Sequence, residues 1–394
     1  MKVISNATVF CPVLGLIENA KILFDDKKIH AVGKTISVPK HAEKIDATGK
    51  YVLPGFIDAH THHGLFDGSI GWAGEDGNEK TAPCTPEVRG IDAFNPFESS
   101  LKDLLIGGVT CINVGPGSGN VIAGEDLVIK PVGTVVDEMI VLCPSGLKVA
   151  LGENPKRVHG KQNRMPATRM GVAALLRKTF TNGHNYIKEW NSYETKYAEA
   201  KKKKKAPPIP PKHDLGMETI AKVLRKEIPV HAHAHRADDI STIIRIADEF
   251  KIKLTIIHCT EGHKIADYIA SKGVAAVVGP TMYRVSKPET QERSFKTAVV
   301  LYRSGVKVAL QTDSITPMNY FPLLPMYTIK NGLTHEEALR CVTVNPAEIL
   351  GIGNRVGSLQ PGKDADIVIW SGHPFDFYSK VEKVFINGKE AYSA

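Results

Sequence analysis

Two histidines at alternate positions close an apolar run near residue 60. His60 and His62 lie in the stretch DAHTHH. Because side chains at i and i+2 of a strand share a face, both imidazoles are expected to point the same way. Two adjacent imidazoles at a strand end supply half of a tetrahedral metal site. His63 is expected to point elsewhere or to begin the following loop.

A second group of histidines and one carboxylate follow other apolar runs. The stretch PVHAHAH places His231, His233 and His235 on one face, and three aligned histidines are costly to bury without polar partners. His258 ends the run TIIHCT, and Asp313 ends VALQTD. Barrel enzymes place their chemistry where such strands end, so we interpret the whole set as a divalent-metal site. Which of the three aligned histidines binds metal stays open.

Eight apolar runs in the middle of the chain must position these side chains. Amphipathic helical stretches such as ADDISTIIRIADEFK separate several of the runs, and alternation of strand and helix predicts a parallel sheet. Eight repeats favour an α/β fold with a closed (β/α)8 barrel, and a doubly wound open sheet is the alternative. The runs are VLPGFIDAH, VTCINVG, DLVIKPVG, GLKVALG, PVHAHAH, LTIIHCT, AAVVGP and VKVALQTD.

Both ends of the chain are rich in short β-type runs. Residues 1–52 and 351–394 are each too short for an independent domain, so we expect one small β-sandwich domain assembled from both ends. An Asn387-Gly388 turn predicts a hairpin in the second of these segments. The barrel is then expected to span residues 53–350.

The basic character of the chain belongs to one segment. The net charge is +8 over 394 residues, and residues 196–212 hold seven lysines and one glutamate, a net +6. Within this Lys/Pro-rich insertion, residues 201–211 (KKKKKAPPIPP) predict a mobile surface excursion between barrel elements, and nucleic-acid binding is not expected.

The remaining composition favours a cytoplasmic protein. Six cysteines without a CxxC pair indicate reduced thiols, not a disulfide framework. The sequence shows no signal peptide and no run of eighteen apolar residues, so no membrane contact is expected.

Several motifs, taken in order, resemble the amidohydrolase superfamily of metal-dependent hydrolases. They are PGFIDAHTH, HAHRADDI, IIHCTE, the aspartate of ALQTD and NPAEILGIGNRVGSLQPGKDADIVIW. The chain looks closest to the branch of imidazolonepropionase-related enzymes and prolidase-like dipeptidases. The resemblance implies a barrel with a split β-sandwich and metal-ligand roles for five residues: His60, His62, His233, His258 and Asp313. His233 is preferred because HAHR matches the family's motif at its first histidine, which leaves His231 and His235 as supporting or substrate-facing groups.

The resemblance also bears on the number of metal ions. In GLKVALGEN, Lys148 stands where the branch carries a lysine that carbon dioxide carboxylates into a bridge between two metals. Glu153 is a rival bridge, and a single-metal site is also compatible. We expect one or two divalent ions, with zinc as the expected metal.

This resemblance implies hydrolysis of a C–N bond in an amide, lactam or dipeptide-like small molecule. Bound zinc lowers the pKa of water from 15.7 towards about 7, and Asp313 would act as general base and then general acid. His258 or His235 could stabilise the oxyanion. The alternatives are a deaminase of a small heterocycle, for which HCTEGH offers only Glu261, and a non-catalytic metal-barrel scaffold.

The substrate contacts and the assembly are predicted from fewer residues. In GPTMYRVSKPET, Tyr283, Arg284 and Lys287 could bind a substrate carboxylate, and a solvent-exposed loop is the alternative. The long Gly-rich loop after His62 is typical of a lid. A homo-oligomer is expected.

Overall fold

The computed structural model describes all residues, 1–394, as a mixed α/β fold. It contains sixteen strands, eleven α-helices and five short 3-10 helices. The strands are β1 Lys2–Cys11, β2 Gly15–Phe24, β3 Ile29–Gly33, β4 Glu43–Asp46, β5 Tyr51–Pro54, β6 Phe56–Thr61, β7 Val109–Val114, β8 Ile122–Ile129, β9 Ile140–Ala150, β10 Val230–Ala234, β11 Leu254–His258, β12 Ala275–Val278, β13 Val308–Leu310, β14 Ile367–Trp370, β15 Val381–Ile386 and β16 Lys389–Ser393. The α-helices are α1 Leu101–Ile106, α2 Val136–Met139, α3 Glu153–Gly160, α4 Arg169–Lys202, α5 Leu215–Leu224, α6 Ala237–Phe250, α7 Ala266–Ser271, α8 Phe295–Arg303, α9 Leu323–Lys330, α10 His335–Arg340 and α11 Val344–Ile349.

The strands of the central region form one eight-stranded, nearly closed barrel sheet. Its order runs from β13 through β12, β11, β10, β9, β8 and β7 to β6, so each strand lies beside its neighbour in sequence. The two end strands approach each other where the Asp313 amide donates to the His60 carbonyl at 3.3 Å. Every one of the eight predicted apolar runs supplies a strand of this barrel, which confirms that part of the prediction.

The third barrel strand runs against its neighbours, and here the prediction of a fully parallel sheet is wrong. β8 pairs antiparallel with both β7 and β9, whereas the other neighbouring pairs are parallel. The connections that flank β8 are residues 115–121 and 130–139. Such segments are too short for a parallel crossover, which needs a dozen or more residues, so the chain turns back as two hairpins.

Both ends of the chain contribute to a second sheet. Its order is β16, β15, β14, β5, β1, β2, β3, with β4 alongside β1. Asn387 and Gly388 both adopt positive φ, 49° and 73°, as a tight hairpin turn requires, so the predicted hairpin between β15 and β16 is confirmed. The ring of Trp370 on β14 lies 5.5 Å from that of Phe56 on β6, which packs this sheet against the barrel.

The Lys/Pro-rich insertion over residues 196–212 is irregular only in its second part, so the mobile excursion predicted for residues 201–211 begins within a helix. Helix α4 continues to Lys202, and residues 203–214 then have no helix or strand. Lysine, alanine and glutamate are good helix formers, and cations at a helix C-terminus interact favourably with its dipole. The lysines therefore extend the helix, and the prolines that follow do not.

The state of the cysteines and the character of the helices bear on two predictions from the composition. All six cysteines are free, and four of them are buried. None of the helices combines the length and the apolar character that a membrane crossing requires.

Candidate active site

The end of β6 brings two imidazoles to the carboxylate that follows β13. The Nε2 atoms of His60 and His62 lie 3.5 Å and 3.3 Å from Asp313 Oδ1. His62 Nδ1 donates to the Gly115 carbonyl at 2.7 Å, so its proton sits on Nδ1 and the lone pair of Nε2 faces the carboxylate. His62 Nε2 and Asp313 Oδ1 therefore face each other with lone pairs and without a proton between them. A cation bound between the two atoms would interact favourably with both.

The ends of β10 and β11 complete a histidine–aspartate cluster. The rings of His233 and His235 lie 4.4 Å and 4.5 Å from that of His258, measured between centroids. Neither ring nitrogen of buried His233 has a hydrogen-bond partner. His258 Nδ1 donates to the Gly279 carbonyl at 2.8 Å, which leaves its Nε2 as a ligand atom. We call the whole set the ligand cluster: His60, His62, His233, His235, His258 and Asp313.

Left-handed backbone conformations mark two members of the ligand cluster. His258 has φ of 73°, Asp313 has φ of 57°, and the residue after each one is also at positive φ. Non-glycine residues adopt this conformation at a cost of about 1–3 kcal/mol and concentrate at functional sites. The chain therefore adopts strained backbone conformations at two residues that carry candidate ligand atoms, one at the end of β11 and one shortly after β13.

The ligand cluster fits a divalent metal. Candidate ligand atoms of His60, His258 and Asp313 lie within 4.8 Å of one another, and so do those of His233, His235 and His258. Imidazole nitrogens with a carboxylate oxygen are a donor set that zinc and related ions accept. The partnerless nitrogens of His233 support the same conclusion, since a buried polar atom is rarely left unsatisfied.

Burial favours the neutral form of four imidazoles of the ligand cluster. It lowers the pKa of His60, His233 and His235 well below the usual value, and that of His258 to about 4. Burial alone would raise the pKa of Asp313, but His258, His60 and His62 outweigh it and hold that pKa well below its usual range. The neutral imidazole and the carboxylate are the forms that bind metal.

Lys148 lies fully buried beside the ligand cluster. Its Nζ atom is 2.9 Å from His60 Nε2, and it forms no ion pair with a carboxylate. Burial lowers the pKa of Lys148 to about 8, despite the opposing effect of Asp126 and Asp313. An uncompensated buried ammonium is costly, and conversion to an anionic carbamate would remove that cost next to a metal.

Three residues considered from the sequence have partners outside the ligand cluster. His231 Nδ1 lies 2.6 Å from Asp126 Oδ2, and both side chains are buried. His63 Nδ1 contacts Ser100 Oγ at 2.8 Å. Glu153, the rival to Lys148, accepts from the Glu289 amide at 3.2 Å and contacts no member of the ligand cluster. Asp126 was missed because nothing near it in sequence marks it as a partner for His231.

A cavity of about 470 Å³ opens onto the ligand cluster. His62, His233, His235 and Asp313 line it together with residues from four loops and from helix α3. Of the three predicted substrate-binding residues, Lys287 lines this cavity, whereas Tyr283 and Arg284 are exposed and do not. The cavity is also lined by Arg157, Arg293 and Asn154, which no sequence motif singles out, and by Phe66 and Asn78 from the predicted lid loop.

Lys287 is held in place by two neighbours. Its Nζ atom lies 2.6 Å from Glu289 Oε1 and donates to Asn154 Oδ1 at 3.1 Å. Burial alone would raise the pKa of Glu289, but Lys287 and His235 outweigh it and lower that pKa. The Lys287 charge is therefore already compensated by a buried carboxylate.

Comparison with known proteins gives one family over most of the chain. Residues 51–391 match the amidohydrolase family. Among curated proteins, the chain is 28% identical to Amidohydrolase tasK of Hapsidospora irregularis over 95% of its own length, and spans 39% of the length of that relative. It is 27% identical to an imidazolonepropionase of Brucella suis biovar 1 (strain 1330), over 91% of this chain and 88% of the relative.

Solved structures extend the comparison to the fold. An amidohydrolase from Thermotoga maritima MSB8 is 43% identical, with a TM-score of 0.93 and full coverage of both chains. A prolidase complexed with N-methylphosphonate-L-proline is 19% identical with a TM-score of 0.64, again over the whole of both chains, and this likeness concerns the fold alone.

Proposed function

The chain belongs to the amidohydrolase family, and we propose that it hydrolyses a C–N bond in a small amide, lactam or dipeptide-like substrate. The observation that carries the proposal is the ligand cluster: neutral imidazoles and a carboxylate converge at the floor of one open cavity. The likeness to imidazolonepropionase favours a C–N bond as the target.

His60, His62, His233, His258 and Asp313 would hold a divalent ion, for which zinc is our expectation. Carboxylated Lys148 would allow a second ion. A divalent metal bound there lowers the pKa of water and polarises the scissile carbonyl.

Asp313 is the proposed proton carrier. Its carboxylate stays ionised at neutral pH because its pKa is held low, so an oxygen is always available to take the proton of the attacking water. The same low pKa makes protonated Asp313 a ready donor to the leaving nitrogen.

His235 is the better candidate for stabilising the oxyanion. Thr260 Oγ1 lies 2.7 Å from His235 Nδ1 and can donate to it, which leaves the ring proton on Nε2. His258 instead uses its Nδ1 proton for the Gly279 carbonyl and its Nε2 for the ligand cluster. His235 lines the cavity and can therefore donate to a tetrahedral oxyanion.

Neither alternative function is favoured by a specific observation. The deaminase alternative relied on Glu261, but Glu261 accepts from the Ala237 amide at the start of α6 and does not line the cavity. The scaffold alternative fits relatives that lack part of the ligand set, whereas this sequence carries a candidate residue at each of the five expected ligand positions.

The test is a hydrolysis screen of three substrate classes with zinc-loaded and manganese-loaded protein. The classes are N-acyl amino acids, Xaa-Pro dipeptides and cyclic ureides. We expect turnover of at least one class, loss of that turnover after chelation, and its return when metal is restored. Absence of activity on all three classes with either metal would contradict the proposal.

Several assignments stay predictions. We propose that the second sheet forms a small β-sandwich domain from residues 1–52 and 351–394, separate from a barrel domain over 53–350. The cytoplasmic location and the homo-oligomer are predictions of the same standing.

A further inference from the structure

Strands β6 and β13 lie side by side in the barrel without a β-ladder between them. They stand at the two ends of the barrel sheet, in which every other neighbouring pair of strands is hydrogen-bonded. His60 lies on β6 and His62 follows that strand, whereas Asp313 follows β13. The ligand cluster therefore straddles this seam, and the contacts that cross the seam determine how its ligand atoms are spaced.

One buried carboxylate makes several of the contacts that a β-ladder would otherwise make. Asp58, which is fully buried on β6, accepts from the Thr312 hydroxyl and also from the Thr312 amide, the latter at 3.3 Å. The same carboxylate accepts from the His60 amide at 3.2 Å. Asp58 therefore holds the backbone of one ligand on its own strand and the residue before Asp313 on the opposite side of the seam.

A second side chain crosses the seam directly after Asp313. Ser314 Oγ accepts from the His62 amide at 2.7 Å and lies 2.8 Å from Thr61 Oγ1, while the Ser314 amide donates to Thr312 Oγ1 at 3.4 Å. Asp313 and Ser314 both have positive φ, 57° and 56°. Such conformations persist only where the surrounding structure enforces them, and these hydrogen bonds hold the chain on both sides of Asp313.

We propose that Asp58, Thr312 and Ser314 are positioning residues, which fix the ligand atoms across the seam and so determine how tightly the ligand cluster holds a divalent ion. This inference rests on the proposed function, because it takes the ligand cluster as the metal site. The three residues act through the backbone of the ligand residues, and a shift of Asp313 would alter its short separations from the imidazoles. Contacts that orient metal ligands typically account for about 10- to 100-fold in metal affinity.

The test measures the zinc affinity of the folded protein by competition with a chromophoric chelator. Thr312→Val removes the hydroxyl and keeps the shape of the side chain, so the dissociation constant for zinc is expected to rise about 10- to 100-fold. Thr312→Ser keeps the hydroxyl and should bind zinc like wild type. Ser314→Ala should weaken zinc binding by a smaller factor, because the half-buried His62 amide can bond to water instead. Replacement of fully buried Asp58 would also disturb the fold, so the two hydroxyl variants carry the test.

Thr316→Val is the matched control. Thr316 is buried in the same loop and its hydroxyl has no hydrogen-bond partner, so removal of that hydroxyl should leave zinc affinity unchanged. The free energy of unfolding of the metal-free protein is measured for each variant, because a purely structural role would lower it without changing the zinc affinity of the folded protein. The inference is overturned if Thr312→Val binds zinc as tightly as wild type, or if Thr316→Val weakens zinc binding to the same extent.

The zinc measurement requires no turnover. Zinc affinity that depends on the Thr312 hydroxyl, together with a failed hydrolysis screen, would leave the positioning role standing and contradict the proposed function. Turnover that chelation abolishes, with equal zinc affinity in wild type and Thr312→Val, would do the reverse. Wild-type protein that binds neither zinc nor manganese would contradict both.

Discussion

Two buried lysines in this molecule have opposite surroundings. Lys148, in the barrel, makes a single hydrogen bond, to an imidazole, and pairs with no carboxylate. Lys130, where the barrel meets the second sheet, uses all three of its protons: on Asp364 Oδ2 and Asp366 Oδ1, both at 2.9 Å, and on Asn387 Oδ1 at 2.6 Å. Both are almost inaccessible to solvent, so burial alone does not distinguish them.

The difference distinguishes a buried lysine that stabilises the fold from a buried lysine that lies at the candidate active site. Lys130 belongs to a junction cluster of Lys28, Lys130, Arg355, Asp364 and Asp366, in which cations and carboxylates alternate. The ligand cluster beside Lys148 has one carboxylate among many imidazoles and leaves nitrogens without partners. In the junction cluster, cations and carboxylates compensate each other, and such a network stabilises the fold. The ligand cluster has too few charged partners of its own, so a bound ligand must supply the missing charge.

The comparison predicts the largest effect for the carboxylate of the ligand cluster. Asp313→Asn removes the proposed proton carrier, so kcat is expected to fall by about 10²- to 10⁴-fold. The free energy of unfolding should change by less than about 1 kcal/mol, because Asn keeps the shape of the side chain and no ion pair with a lysine or arginine is broken. Asp137→Asn, at an exposed aspartate without contacts, is the matched control. Near-normal turnover in Asp313→Asn would break the assignment.

Lys130→Met tests the junction cluster. Removal of one partner from a buried ion network is expected to cost about 3–5 kcal/mol in the free energy of unfolding, since Asp366 would lose its cation. Denaturant unfolding measures this, and kcat of the folded protein should stay unchanged. Lys330→Met, at an exposed lysine without an ion pair, controls for the loss of charge. A loss of activity at full stability would show that the junction cluster is not purely structural.

Lys148→Met should give the reverse pattern with a smaller effect. If the lysine supports metal binding, the metal content falls and kcat/KM drops by about 10- to 100-fold. The free energy of unfolding should stay level or rise, because an uncompensated buried cation has been removed. Elemental analysis of the purified variant measures the metal. Full metal content with wild-type kcat/KM would place Lys148 with the structural lysines.

The smallest effect is expected in how far the free energy of unfolding falls at acidic pH. Burial alone would raise the pKa of Asp364, but Lys130 and Lys28 outweigh it and hold that pKa below its usual value. A carboxylate with a lowered pKa contributes stability above its unfolded pKa of about 3.9 and loses it as pH falls through the folded value. Asp364→Asn should therefore lose less stability than wild type between about pH 5 and pH 2. Equal losses in urea unfolding would contradict this reading of the junction cluster.

Most of the barrel could be predicted because its strands are short, apolar and followed by polar side chains. The direction of β8 could not, since an apolar run has the same pattern whichever way it points. Only the length of its two connections carries that information, and those lengths depend on strand ends that the sequence locates poorly.

The site was predictable where neighbours in sequence are neighbours in space. His60 and His62 share one strand end, and the spacing reveals them. The alternation that aligns His231, His233 and His235 cannot show that the first of them pairs with Asp126, about a hundred residues away. Arg157 on helix α3 and Arg293 on a loop are single basic residues far apart in sequence, so only the folded chain brings them to one cavity.

The reversal of β8 also divides the loop that follows His62 into two halves that differ in their susceptibility to proteolysis. Residues Pro83 to Arg89 run along β8 and exchange backbone hydrogen bonds with it, as in Thr85 to Ile122 at 2.9 Å and Glu125 to Val88 at 2.8 Å. Gly124 makes this approach possible, because a side chain there would meet the Val88 carbonyl at 2.2 Å. A protease should therefore find its first sites between residues 67 and 80, in the half not tied to β8, and leave the tied half intact.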